Sequence, residues 1–295
     1  MILTIFFFIL LLGLLVLAHE WGHFIVARRL GVRVEEFAFG FPPRLASFVR
    51  RGTRYAINLF PFGGYVKIFG ESGEKSDDPR SFSSRPVGQR LAVIVAGVAM
   101  NIVLAWVLFS FGHGLGLPTV VGDGEEASKV RVTIVGVEPR SPAAEAGLRF
   151  GDIIEAVASG SSRLQIIKIE EVQQFIDRHR GEEVGVTVRR SDSRIEVVVR
   201  PRSNPPAGQG PLGIAMARVG IVRSPLWRAP WDGLKTTSSA SLAVTQALTK
   251  TAAEFFGRGR IPVEVSGPIG IFMFTDETRR LGANYLLELA GVLSI

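Results

Sequence analysis

The sequence predicts a membrane protein: an α-helical transmembrane core, a re-entrant β-hairpin, and an inserted water-soluble α/β domain. Three observations carry this. Two apolar runs, Met1 to about Ala27 and Leu91 to about Gly112, are each long enough to cross a hydrocarbon core, which takes ~20 helical residues. The 295 residues are 47% hydrophobic with mean hydropathy +0.28, rich for a soluble chain, yet 21% charged, too many for a wholly embedded one. Segments with strand and turn composition lie between and after the two runs.

The first span occupies residues 1–30. A signal peptide is disfavoured because no positive region precedes the run, no small-residue cleavage site follows it, and a polar cluster lies inside it. Residues 31–90 form a cytoplasmic-side segment. Between Arg28 and Arg90 there are 12 Lys/Arg against 6 Asp/Glu, while residues 118–220 balance at 14 against 14. The basic excess thus begins at Arg28, Arg29 and Arg33, directly after the first span, as the positive-inside rule expects. This makes a nucleic-acid reading of the +7 charge unattractive and implies no nucleic-acid partner. Within this segment GTRYAINLFPFGGYVKIFG, 52–70, mixes β-formers with Pro61, Gly63 and Gly64 and predicts extended strands around a turn. Its position between two spans suggests a hairpin dipping into the bilayer, against the helices or a water-filled cavity, since strand edges are not tolerated in lipid; a plain cytoplasmic hairpin is the alternative. Residues 91–113 form the second span, returning outward.

Residues 119–220 read as a separate water-soluble module. VTIVGV (132–137) predicts a strand, SPAAEAGLRFGDII (141–154) a turn, short helix and strand start, EEVQQFIDRH (170–179) a helix, and VGVTVRR with RIEVVVR (184–200) a hairpin. Residues 225–275 predict a membrane-surface helix, Ala229 to Phe256, and a linker. NYLLELAGVLSI, 284–295, predicts the start of a third span. The chain has no cysteine, which excludes a disulfide framework and thiolate chemistry.

The chemistry concentrates in HEWGH, residues 19–23. His19 and His23 are four apart, so on a helix they share a face where two imidazoles can bind one ion. Glu20 beside them can take a proton from water activated by that ion. HExxH is the zinc-metalloprotease pattern. A charged group within a span costs ~2.5–3.5 kcal/mol on insertion scales, so three ionisable residues there need a compensating role; the bland reading is interfacial helix capping. Asn101, polar inside the second span, is a further candidate, with interhelical hydrogen bonding as the competing role. His113 and His179 read as a span end and a domain surface.

HEWGHF (19–24), INLFPFGGYVKIFGE (57–71), SFSSRPVGQRLAVIVAGVAMN (81–101), EPRSPAAEAGLRFGDII (138–154) and VSGPIGI (265–271) together resemble, in order, the motifs of the site-2 protease family, specifically the bacterial RseP type. The resemblance covers nearly the whole chain. It implies a zinc-dependent intramembrane endopeptidase, with His19 and His23 as metal ligands, Glu20 as general base and Zn2+ as cofactor. The inserted domain would be a PDZ domain, in which PLGIAM (211–216) resembles the carboxylate-binding loop and following strand, the alternative being a domain that acts mainly as a size filter; Leu212, Gly213 and Ile214, with Gly63, Gly64 and Asn101, are then candidate substrate contacts. Its expected partners are single-span membrane proteins, such as anti-sigma factors or signal-peptide remnants cut first by another protease, the lipid bilayer, and a possible PDZ peptide ligand. Val98 stands where the family usually has proline. The family's third zinc ligand is an aspartate in an LDG motif on the third span; no LDG occurs here, so that ligand is expected beyond Ile295, and WDG at Trp231–Gly233 precedes a surface helix. The expected location is the inner (plasma) membrane, multi-pass, with the PDZ domain extracytoplasmic. The alternative is a catalytically silent membrane scaffold that binds partners through that domain.

Overall fold

The computed structural model describes residues 1–73, 77–121, 128–190, 193–206, 208–258 and 267–295. The chain divides into two compact units: Met1–Gly114, Pro225–Arg279 and Leu286–Ile295 in the first, Leu115–Ser224 with Arg280–Tyr285 in the second.

The first unit opens with α1, Ile2–Arg29, apolar on all sides until its last turns and ending on Arg28 and Arg29, whose positive charge suits a helix C-terminus. Two long strands follow, β1 (Val34–Arg50) and β2 (Thr53–Ile68), paired antiparallel. The sheet is larger than the hairpin expected at 52–70, because its first strand starts eighteen residues earlier. Glu36–Phe39 have partners on both sides: Arg54–Ile57 in step and Gly64–Lys67 in reverse order. The chain therefore bends at Phe60–Gly63, where the sequence places Pro61 and Gly63, and crosses the end of the first strand. Glu36 is buried, but Arg44 (2.7 Å), Arg54 (3.7 Å) and the Tyr65 hydroxyl (3.0 Å) all reach its carboxylate, so its burial is compensated.

The second long helix, α2, runs from Val87 to Leu115. α1 and α2 are both long and apolar enough to cross a membrane by length and composition. They touch backbone to backbone at Gly22: a Cβ there would collide with the Ala96 carbonyl oxygen and come within 2.9 Å of Met100 Cβ.

The second unit is an antiparallel sheet with two short helices. In chain order it contains β3 (Leu117–Val120), β4 (Ser128–Val137), α3 (Pro142–Glu145), β5 (Ile153–Ser159), β6 (Ser162–Gln165), α4 (Ile169–Arg178), β7 (Val184–Arg190), β8 (Ser193–Val199) and β9 (Ile214–Val222). The strand order is β3-β9-β4-β5-β7-β8, with β6 on β5. Ser141 caps α3 by accepting from the Ala144 N–H, with Pro142 preset at the first helical position. Val172, Phe175 and Ile176 form the apolar stripe of α4 and pack with Val157, Val186 and Leu212. Asp152 is fully buried and held by both prongs of Arg190, each at 2.7 Å, and by the Arg149 N–H at 2.9 Å.

Three helices complete the chain: α5 (Ala229–Arg258), α6 (Pro268–Leu281) and α7 (Ala283–Leu293). Residues 122–127 of the predicted soluble module, and residues 259–266 with the first two positions of VSGPIGI, lie outside the described residues. In α6, Phe272 meets Phe8 edge-on (5.5 Å) and Asp276 accepts from Thr4, so α6 runs against the first turns of α1. In α7, Gly291 lies against the Phe109 ring of α2, and Ala290 joins Leu11, Leu15 and Leu108 in one cluster.

Candidate active site

The helical spacing of HEWGH puts His19 and His23 on one face of α1, their Nε2 atoms 3.1 Å apart and their rings at 77°. Two imidazole nitrogens bound to one tetrahedral zinc at its usual bond lengths stand roughly 3.3 Å apart, so the pair fits as two ligands of a single ion. α2 supplies the surround. His23 Nδ1–H donates to the Val93 carbonyl oxygen at 2.7 Å; since a carbonyl can only accept, this fixes the tautomer and leaves Nε2 for a metal. Gly97 lies beneath both rings, where a Cβ would fall 2.5 Å from His23 Nε2 and 2.6 Å from His19 Nε2. Among the described residues no group of three or more His, Cys, Asp or Glu could hold a metal ion, so the two histidines form a partial donor set.

Glu20 and His23 both line a cavity of about 320 Å³, with Tyr65, Val66, Glu71 and Val93 among others. Val66, on the last segment of β2, lines the same cavity. Gly64 is part of this approach: a Cβ there would lie 2.8 Å from the Ala38 carbonyl oxygen and 3.8 Å from Glu20 Cγ. Gly63 lies farther out, against the Phe41 ring. Tyr65, Glu71, Val93 and Gly97 were not singled out in the sequence. Gly97 carried a signal, a small residue one turn before Asn101 in a span, whereas Val93 acts through its backbone and carried none.

The remaining candidates are dispersed. Asn101 follows Gly97 by one turn of α2, and its carbonyl oxygen accepts from Ser294 Oγ at 2.7 Å. Leu212, Gly213 and Ile214 belong to the second unit, where they line a groove of about 300 Å³ with Val172, Gln173 and Ile176 of α4. His113 shares a hydrogen bond with the Thr236 hydroxyl at 2.8 Å. His179 ends α4, stacked on Phe175 with Nδ1 on its carbonyl. WDG opens α5, with Gly233 against Ser110, thirteen residues or about 20 Å along α2 from Gly97. It takes no part in the histidine pair.

The model of peptidase family M50 matches residues 7–295. The chain belongs to that family. M50 is the site-2 protease family, membrane-associated, and membership makes this chain a zinc metalloprotease by descent. Among its relatives, the zinc metalloprotease RasP of Oceanobacillus iheyensis is 25% identical over 376 residues, covering 99% of this chain and 84% of that one. A protein of Clostridium perfringens provisionally named a zinc metalloprotease is 32% identical over 292 residues, covering 99% and 80%. A similarly named protein of Brucella suis is 29% identical over 319 residues, covering 99% and 79%.

Proposed function

We propose that this M50 protein is a zinc-dependent intramembrane endopeptidase of the RseP type, cutting the transmembrane segments of single-span proteins after another protease has trimmed them. The observation that carries the reading is the 3.1 Å approach of His19 and His23 Nε2 within an otherwise apolar helix, with Glu20 facing an adjoining cavity. Zinc bound there supplies a water of lowered pKa for attack on a peptide carbonyl. The chain's own residues do the rest. Val93 holds the His23 ring, Glu20 accepts and returns the proton, and the Gly64–Ile68 segment offers an extended edge beside Glu20 to a substrate that has lost its helical form. Gly63 and Gly64 keep the approach to that edge low.

The charge asymmetry supports a multi-pass inner-membrane protein with residues 28–90 cytoplasmic and the sheet unit outside. A PDZ domain is supported by the groove between α4 and β9: among the described residues β3 pairs with Val219–Val222 and no strand is paired on that side of Ile214–Ala217, where a strand of peptide could add beside Leu212 and Gly213. This groove is also what favours the second reading, a silent scaffold that binds partners there.

Substituting Glu20→Gln in the full-length protein separates the two. The enzyme reading expects zinc to stay bound and cleavage of a model transmembrane substrate to fall at least about a hundredfold. Cleavage above a hundredth of wild type removes Glu20 from its role, and wild-type protein that neither holds zinc nor cuts favours the scaffold.

A further inference from the structure

Asn101 stands where three helices meet. Val93 of α2 bonds His23, Gly97 lies under both histidine rings and Met100 lies against Gly22 of α1, so Asn101 sits one turn of α2 beyond the residue under the pair. From the third side Ser294, directly after α7, donates its hydroxyl to the Asn101 carbonyl oxygen at 2.7 Å. Asn101 is thus about 6 Å along the helix axis from the level of the histidine pair. Its side-chain Oδ1 is buried and accepts no hydrogen bond. An amide oxygen left unpaired in apolar surroundings costs free energy, and native structures rarely carry such an atom without a functional reason. The Ser294 contact does not account for it, because that hydroxyl engages the backbone and not the carboxamide.

We propose that Asn101 is a substrate-positioning residue whose carboxamide hydrogen-bonds the main chain of a transmembrane substrate where its helix opens for cleavage. This rests on the proteolytic reading and deepens it. A helix in lipid satisfies its N–H and C=O groups internally, and opening one turn beside the site strands several of them where no water can pair with them. A carboxamide carries two donors and an acceptor and matches a peptide unit group for group. Placed one turn from the metal ligands, it lowers the cost of holding the substrate open at the point of attack. It is the substrate helix, not the zinc, on which Asn101 acts.

The test compares two single-span substrates in proteoliposomes, one with an uninterrupted helix and one with a Gly-Pro pair at the cleavage position, cut by wild type, Asn101→Leu and Asn101→Gln. The Leu variant removes hydrogen bonding at similar size. It is expected to lose roughly 10- to 100-fold in kcat/KM on the uninterrupted helix and less than about threefold on the interrupted one. Zinc content stays that of wild type, and the Gln variant recovers part of the loss. Equal losses on both substrates mean a packing role and overturn the inference, as does no loss on either. A wild-type protein that cuts neither substrate overturns the proteolytic reading itself, and this inference with it.

Discussion

His23 Nδ1 donates to the carbonyl oxygen of Val93 across 2.7 Å, so the orientation of the His23 ring on α1 is set by the backbone of α2. One turn on, Gly97 leaves the room that both rings occupy. Gly97→Val in the intact protein should push the imidazoles apart and weaken zinc binding by about 10- to 100-fold, the usual cost of disturbing a ligand's support. Competition against a chromophoric chelator measures it. Unchanged affinity would mean that α2 does not shape the site.

Orientation in the membrane is open to direct labelling. The chain has no cysteine of its own, so single substitutions report cleanly. Ser161→Cys, exposed at the β5–β6 turn, should react with an impermeant thiol reagent in intact cells, and Ser72→Cys, exposed after β2, should react only after lysis. The reverse pattern inverts the protein and puts the basic segment outside.

In the second unit, removing one partner of the Asp152–Arg190 pair leaves the other charge buried without its match. Asp152 has 1% of its side chain exposed, so Arg190→Ala should destabilise the unit by about 3–5 kcal/mol. Faster amide exchange in β5 and β7 of the full chain reads this out. A change under about 1 kcal/mol would place Asp152's stabilisation in the Arg149 N–H instead.

Glu155 gives a pH dependence of known sign. Burial alone pushes its carboxyl up, but hydrogen bonds and charge from Arg189 and Arg194 outweigh that and hold it below the ordinary value of 4.5. A carboxylate lowered by folding stabilises the fold above its unfolded pKa, and that contribution is lost as pH falls through the lower, folded value. Protection of β5 amides should therefore weaken on acidification below 4.5, and Glu155→Gln should lack this component. An identical acid profile in the variant would assign the effect to another group.

What the sequence disclosed and what it concealed follow from range. His19, Glu20 and His23 are local to one helix, so their shared geometry follows from 3.6 residues per turn. The support for His23 comes from seventy residues away through a backbone oxygen, which no residue type announces. The first half of the β1–β2 sheet was missed for a related reason. Nothing local to Glu36 announces its burial in a strand, which depends on Arg44, Arg54 and Tyr65 gathering around its carboxylate. In the second unit the predicted strands at 132–137 and 184–200 fall within β4 and β7–β8, because alternation and β-branched residues mark them locally. The groove between α4 and β9 joins residues about forty positions apart, and only its PLGI loop was visible in advance.

The pairing of β3 with β9 brings Leu117 opposite Val222, so the Leu115–Ser224 stretch that makes up most of the second unit begins and ends at neighbouring points. A module spliced between adjacent ends is a cassette. It can be lengthened, duplicated or exchanged for a short bridge with little demand on the two long helices. The histidine pair of the first unit and the groove of the second can thereby diverge at different rates, since changes to one need not be registered in the other.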